Sequence, residues 1–283
     1  MRPHKIDQWT LAGAEGRALL GDAHIPDSPI GVVCIVHGFL GYKDYGMFPR
    51  VAASFADAGF VAHRFNLSHS GMTRNTDTFE RADLFERDTW MKQVRDVSAV
   101  VEAVRVGQLA GRDLPIVLFG HSRGGLTSIL SASRLNAEGR AVAGVITSAT
   151  PSAACRMDEP SQKAVLERGF AEVVSNRTGQ TLRIDAAWLR EQLDDPAAHD
   201  VCAHAGRVGA PVLIVHGRDD ATVSADDAKE LAHAAGSDEP VIVPGGNHVF
   251  NTPNPMPDDA APSPQLAMLL NVSIGFARAC AGE

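Results

Sequence analysis

Gly120-His121-Ser122-Arg123-Gly124-Gly125 is the stretch whose reading decides the fold. It follows a short apolar run, Pro115-Ile116-Val117-Leu118-Phe119, that reads as a buried strand. It precedes Leu126-Thr127-Ser128-Ile129-Leu130, which reads as the start of a helix. Gly-x-Ser-x-Gly at a strand-to-helix turn holds the serine at the tip of a tight bend with strained backbone angles. Side chains two residues before and after the serine would collide in such a bend, which accounts for Gly120 and Gly124. The helix that follows aims its N-terminal amides at the serine oxygen. The pattern alone arises by chance in ordinary sequences, and the flanking strand and helix make it informative.

Working outward, residues 5–26 read as a two-stranded hairpin turning near Ala12–Gly16. Gly31–His37 is a continuous β-branched run, as expected of a strand buried on both faces. Met47–Ala58 has helical spacing, Phe60–Leu67 is the next strand, and 69–88 reads as a polar loop region with short helical turns. Asp88–Val106 carries apolar residues at helical period. Val142–Thr147, Pro211–His216 and Pro240–Val243 complete the strands, and Ser224–Ala235 and Gln265–Ala279 the helices. Strands alternating with helices imply an α/β fold, a mostly parallel, doubly wound sheet flanked by helices. The stretch 151–207 breaks that alternation. It offers an amphipathic segment at Ser161–Phe170, a hairpin through Asn176-Arg177-Thr178-Gly179 and a helix at Ala186–Leu193. It is expected to be a small inserted cap above the C-terminal edge of the strands, leaving 1–150 and 208–283 as the core.

The 283 residues suit one large domain with a small insertion, and 45% hydrophobic content is ordinary for a globular protein. A formal charge of −8 supplies no basic field for nucleic acid or an anionic membrane. The four cysteines, Cys34, Cys155, Cys202 and Cys280, are scattered without metal or redox spacing and read as reduced thiols. No N-terminal export segment and no bilayer-length apolar run are seen, so a cytoplasmic location is expected. On that expectation the sequons at Asn66, Asn176 and Asn271 are chance matches. No metal site is expected: His199-Asp200-x-Cys202-x-His204 has metal-capable side chains but fits no ligand spacing. Asp83, Glu86 and Asp88 read as a solvated face or helix start.

A serine hydroxyl is a weak nucleophile and needs a base, a group to hold that base, and donors for the oxyanion. The candidate base is His248, in the glycine-flanked loop Gly245-Gly246-Asn247-His248 after the last strand. His121 adjoins the serine but is expected to point away from its hydroxyl, and His216, at a strand end, is expected to make a local hydrogen bond. Two aspartates, Asp219 and Asp220, compete for the third position, directly after the Pro211–His216 strand. Asp220, three residues after Gly217 and three before Val223, is the better placed, with Asp219 a turn or capping residue. The backbone amide of Arg123 is one candidate oxyanion donor and that of Phe39, in His37-Gly38-Phe39-Leu40-Gly41, is the other. Phe39 and Leu40 are then expected to line the acyl pocket.

Taken in order, His37-Gly38-Phe39, Gly120-His121-Ser122-Arg123-Gly124, Gly217-x-x-Asp220-x-x-Val223 and Gly246-Asn247-His248 resemble the motifs of the α/β-hydrolase superfamily. Within it the chain is similar to compact bacterial serine esterases of the cinnamoyl or feruloyl kind, and to the dienelactone hydrolase and serine aminopeptidase groups. Arg64-Phe65-Asn66-Leu67-Ser68-His69-Ser70-Gly71 resembles a loop those enzymes carry, with Asn66 where Asp is frequent and Ser68 where Gly is common. The resemblance spans roughly residues 30–280. It implies the α/β-hydrolase fold and, with Ser122, Asp220 and His248 as catalytic residues, a cofactor-independent hydrolase of small carboxylic esters with short-to-medium or aromatic acyl groups. An aminopeptidase or amidase using the same residues is the alternative. A ligand-binding scaffold without catalysis is a further one, disfavoured by the presence of all three residues.

Overall fold

The computed structural model describes residues 4–237 and 239–283. In its first half the elements are β1 (Lys5–Ala12), β2 (Ala18–Ile25), β3 (Gly31–Val36), α1 (Phe48–Asp57), β4 (Phe60–Asn66), α2 (Ala82–Glu86), α3 (Trp90–Arg105), β5 (Ile116–His121), α4 (Arg123–Ala137) and β6 (Gly144–Ser148). The second half contains α5 (Glu159–Arg168), β7 (Phe170–Val174), β8 (Thr181–Asp185), α6 (Ala187–Asp194), α7 (Val201–Ala205), β9 (Val212–Gly217), α8 (Ala225–Ala235), β10 (Val241–Val243) and α9 (Pro264–Ala281).

Strand β3 is buried along its whole length, and its side chains divide by parity between two helical layers. Val32, Cys34 and Val36 pack with Val97, Val101 and Leu130 of α3 and α4. Val33 and Ile35 pack with Phe48, Val51 and Phe55 of α1 and Leu269 of α9. Strand β5 repeats the division, Leu118 on one side and Val117 and Phe119 on the other. This is the period-2 rule applied to a strand covered on both faces. Fully burying such Phe, Leu and Val side chains contributes roughly 1.5–3 kcal/mol each before chain entropy is counted.

The main sheet has the order β1-β2-β4-β3-β5-β6-β9-β10. It is parallel from β4 to β10, whereas β2 runs antiparallel to both β1 and β4. The expected hairpin over 5–26 is present, pairing Lys5 with Ile25 through to Ala12 with Ala18. The chain leaves the C-terminal ends of β3, β5, β9 and β10 at His37, Ser122, Arg218 and Pro244, so those four loops share one edge of the sheet.

The segment from 151 to 207 does not pack as one unit. Its hairpin β7–β8 stands apart from the main sheet. Val165 of α5 and Ala186 and Leu189 around α6 form their own small apolar cluster with Met157 and Trp188. Leu182 of β8 instead joins Tyr42, Met72, Phe79 and Phe85, which tethers the hairpin to the loop region before α3. Helix α7 belongs to the core, because Val201 and Ala205 pack with Leu130 and Leu231. His199 Nδ1–H donates to Asp195 O, and Asp200 caps α7 by accepting from Ala203 N, so these side chains serve local structure. No helix among the described residues is long and apolar enough to cross a membrane.

Candidate active site

The turn after β5 takes the strained form its glycines require. Ser122 has φ 53° and ψ −125°, a conformation that L residues rarely adopt. Its amide donates to Ser148 O at 2.8 Å and its carbonyl accepts from Gly125 N at 2.9 Å, so both neighbours clamp the bend. A Cβ at Gly120 would overlap the backbone of Gly124, and one at Gly124 would overlap Val36 O. Glycine at both positions lets β5, α4 and the end of β3 converge beneath the serine.

Three side chains from three loops then line up. Ser122 Oγ lies 3.1 Å from His248 Nε2, and His248 Nδ1 lies 2.8 Å from Asp220 Oδ2. Burial disfavours ionisation of Asp220, but hydrogen bonds from His216 and His248 and from the Val223 amide outweigh it and hold the carboxyl well below the usual range. An ionised carboxylate only accepts, so the His248 proton sits on Nδ1 and Nε2 is left to accept from the serine. Asp220 Oδ1 is held in turn by the amides of Thr222 at 2.8 Å and Val223 at 3.0 Å. Asp219 is not part of this set; its amide donates to Gly246 O and joins the two loops.

Two further histidines support the arrangement. His121 turns away from the serine hydroxyl, as its position in the turn predicts, and bonds His248 O through Nε2 at 2.7 Å. Burial, reinforced by the adjacent His248, keeps its ring neutral with a pKa pushed down to about 3. His216 makes the expected local bond, Nε2–H to Val223 O at 3.0 Å. The same Nε2 also stands 3.2 Å from Asp220 Oδ2, so the acid receives a second imidazole donor that the sequence reading missed. The i, i+4 spacing of His216 and Asp220 across a strand end was the available signal.

The loop after β3 is fixed by a neutral histidine. His37 Nδ1–H donates to Gly38 O at 2.9 Å, and Nε2 accepts from Leu67 N at 3.1 Å, at the end of β4. Burial is the main cause of a pKa lowered to about 4. The amides of Phe39 and Arg123 have no acceptor among the described residues. The atypical residues of the neighbouring loop are fully used. Asn66 accepts from Lys43 N at 2.7 Å and donates to Thr73 O at 3.3 Å, the second of which an Asp cannot do. Ser68 is bound to Asp96 through both its amide and its hydroxyl at 2.8 Å.

A cavity of about 300 Å³ opens at Ser122 between the core and the inserted segment. Phe39 lines it, with Trp90, Trp188, Met157, Ile184 and Arg123. Leu40 does not; it packs toward Tyr42, Met72 and Phe85 on the other side of the loop. The Arg123 side chain, considered from sequence only for its backbone, is a wall of the cavity, stacked 4.2 Å from the Trp90 ring. Asp88 is not the solvated residue its acidic neighbourhood suggests. It lies 3.3 Å from Arg123 Nη2 with 13% of its side chain exposed, and desolvation pushes its carboxyl up to about 6 despite that cation and a bond from Gln93. A larger cavity of about 440 Å³ lies near His24, Arg50 and Arg64 and contains none of the serine-site residues.

Sheet order, the serine turn after β5 and the loops gathered at one sheet edge define an α/β-hydrolase, and the protein is a hydrolase of that class. Its chain belongs to the family described as serine aminopeptidase, S33, whose model matches residues 27–192. Among solved structures it is similar to Est1E from Butyrivibrio proteoclasticus with ferulic acid bound, at 18% identity, TM-score 0.72 and coverage of 97% of this chain and 100% of that one. It is also similar to the esterase domain of a Rhodothermus marinus protein, at 17% identity, TM-score 0.64 and coverage of 97% and 98%. A third is the α/β-hydrolase GrgF from Penicillium sp. sh18, at 14% identity, TM-score 0.73 and coverage of 99% and 100%. At these identities the likeness is one of fold. No curated protein sequence matches the chain.

Proposed function

We propose that the protein is a cofactor-independent serine esterase that hydrolyses carboxylic esters through an acyl-enzyme. The observation that carries this reading is the hydrogen-bonded line from Ser122 Oγ through His248 to Asp220, at 3.1 and 2.8 Å. In the reaction Ser122 Oγ attacks the ester carbonyl while His248 Nε2 takes its proton. Asp220 holds the tautomer and stabilises the imidazolium, with His216 as its second donor. The amides of Phe39 and Arg123 receive the oxyanion. The imidazolium returns its proton to the leaving alcohol. A water, deprotonated by the same ring, then attacks the acyl-enzyme and releases the acid and Ser122.

The side on which each half of the ester lies follows from that proton. The alcohol departs toward His248, and the cavity at Ser122 is not lined by His248, so it takes the acyl group. Its aromatic and aliphatic walls suit a medium or aromatic acyl chain. An aminopeptidase would place a substrate ammonium on this same acyl side. The cavity carries Arg123 and Arg156 and, among the described residues, no lining carboxylate, which favours the ester reading over the aminopeptidase one. The test is a spectrophotometric panel of p-nitrophenyl esters from acetate to palmitate, methyl ferulate and aminoacyl-p-nitroanilides. Ester cleavage that falls in Ser122→Ala by roughly 10³–10⁶-fold in kcat is expected. Cleavage of the anilides alone would replace the reading with an aminopeptidase, and undiminished activity in Ser122→Ala would end the mechanism.

A further inference from the structure

Arg123 is an unusual wall for an acyl pocket. It is only 9% exposed, yet neither Nε nor Nη2 makes a hydrogen bond among the described residues. Asp88 balances the charge from 3.3 Å without satisfying those donors. The guanidinium lies against Trp90 at 4.2 Å, with the rings of Phe39 and Trp188 5.6 and 6.0 Å away. With Nε and Nη2 buried, Nη1 is the nitrogen left open to the cavity. Packing alone does not explain the residue, since Leu or Met would cover the same rings without stranding buried donors. Arg156 lines the cavity from the inserted segment, with Nη1 bonded to both oxygens of Asp227 at 2.9 Å and half of its side chain exposed. Both counterions, Asp88 and Asp227, stand outside the cavity lining, so the charged groups that face the acyl chain are cationic.

We propose that Arg123 recognises a carboxylate on the acyl group, so that the preferred substrates are esters of ω-carboxyacyl groups, half-esters of dicarboxylic acids among them. This rests on the serine-esterase reading and specifies its substrate. A carboxylate accepts from Nη1 in a charge-assisted bond inside an otherwise apolar cavity, where such a bond is strong and a methyl terminus makes none. The aromatic rings around the guanidinium hold its plane, which is what a directional donor needs. Arg156, at the rim, attracts the same charge on entry.

The test compares mono-4-nitrophenyl adipate with 4-nitrophenyl hexanoate, which share acyl length and differ at the terminus. Spontaneous hydrolysis is subtracted and active sites are counted by fluorophosphonate titration. The wild type is expected to favour the adipate by roughly 10–100-fold in kcat/KM, the range a charge-assisted contact supports. In Arg123→Met combined with Asp88→Asn, which removes both charges and strands neither, the ratio is expected to fall to about one or below. A wild type that prefers the hexanoate, or a ratio unchanged in the double variant, overturns the inference while leaving the esterase reading intact. If that variant does not fold, the wild-type ratio still decides. Hydrolysis of neither ester removes the esterase reading and this inference with it.

Discussion

The serine turn and the inserted segment are two kinds of structure facing one cavity. The turn is built from backbone. Gly120, Ser122 and Gly124 lie where β5, α4 and the end of β3 converge, and a single added methyl at either glycine meets main-chain atoms. The segment is built from side chains. Its hairpin is held by Leu182 in a small aromatic cluster and by Gln180 Oε1, which accepts from Thr78 Oγ1 and Phe79 N at 2.8 Å. Its helix α6 is tied through Glu191 to the Trp90 amide. Backbone convergence permits few sequences, so the turn is rigid and restrictive. Side-chain tethers permit many, so the segment is free to set what the cavity accepts.

Substitutions on each side sharpen that contrast. The largest effect is expected from Gly124→Ala, whose Cβ would overlap Val36 O: a loss of about 3–5 kcal/mol in urea unfolding, or no folded protein. Stability within about 1 kcal/mol of wild type would show that the turn yields where it is described as rigid. Next is Asp220→Asn, which keeps shape but no longer holds the His248 tautomer; kcat is expected to fall roughly 10²–10⁴-fold with the fold retained. On the other side, Trp188→Ala removes an aromatic wall without touching the serine. It is expected to raise KM for medium acyl esters about tenfold and to change acetate hydrolysis much less. A comparable loss on acetate would mean that the segment acts on chemistry and not only on selection.

His216 offers the smallest and most diagnostic change. In His216→Phe, Asp220 loses its second imidazole donor and, less stabilised, attracts the imidazolium proton of its neighbour more strongly. The acid limb of kcat/KM is therefore expected to move to higher pH, by roughly half a unit. The titratable groups that face the His248 ring are Asp220, His216 and His121, and His121 is held neutral, so the effect is expected to come through the ionised Asp220, whose charge is unchanged but whose hydrogen bonding is reduced. His216→Gln, which sets an amide N–H near the position of Nε2, is expected to restore the wild-type profile. A structural role alone would lower the rate in both variants and leave the limb in place.

These differences also explain what was readable in the sequence. Gly120, Ser122 and Gly124, the loop glycines before His248 and the β-branched run of β3 report backbone demands, and backbone demands restrict residue type. The alternation of strands and helices and the positions of Ser122, Asp220 and His248 were legible for that reason. Tertiary contacts with no local constraint were not. Val201 and Ala205 have no pattern separating a core helix from an inserted one, and only packing against Leu130 and Leu231 assigns α7 to the core. Leu40 and Phe39 are adjacent and equally apolar, and both reach the cluster around Phe85, yet only Phe39 also lines the cavity at Ser122, with Leu40 in the turn at a positive φ of 57°. Nothing local marks Asp88 as the largely covered partner of Arg123 rather than one more exposed acid.

The proposed mechanism requires a covalent acyl intermediate on Ser122. Its most direct test is intact-protein and peptide mass spectrometry after rapid acid quench of a 4-nitrophenyl ester turnover. An added acyl mass is expected on the peptide containing Ser122, absent from Ser122→Ala and accumulating in His248→Ala only far more slowly. Ester hydrolysis with no adduct under conditions that trap one in a known serine esterase, or an adduct on another residue, would contradict it.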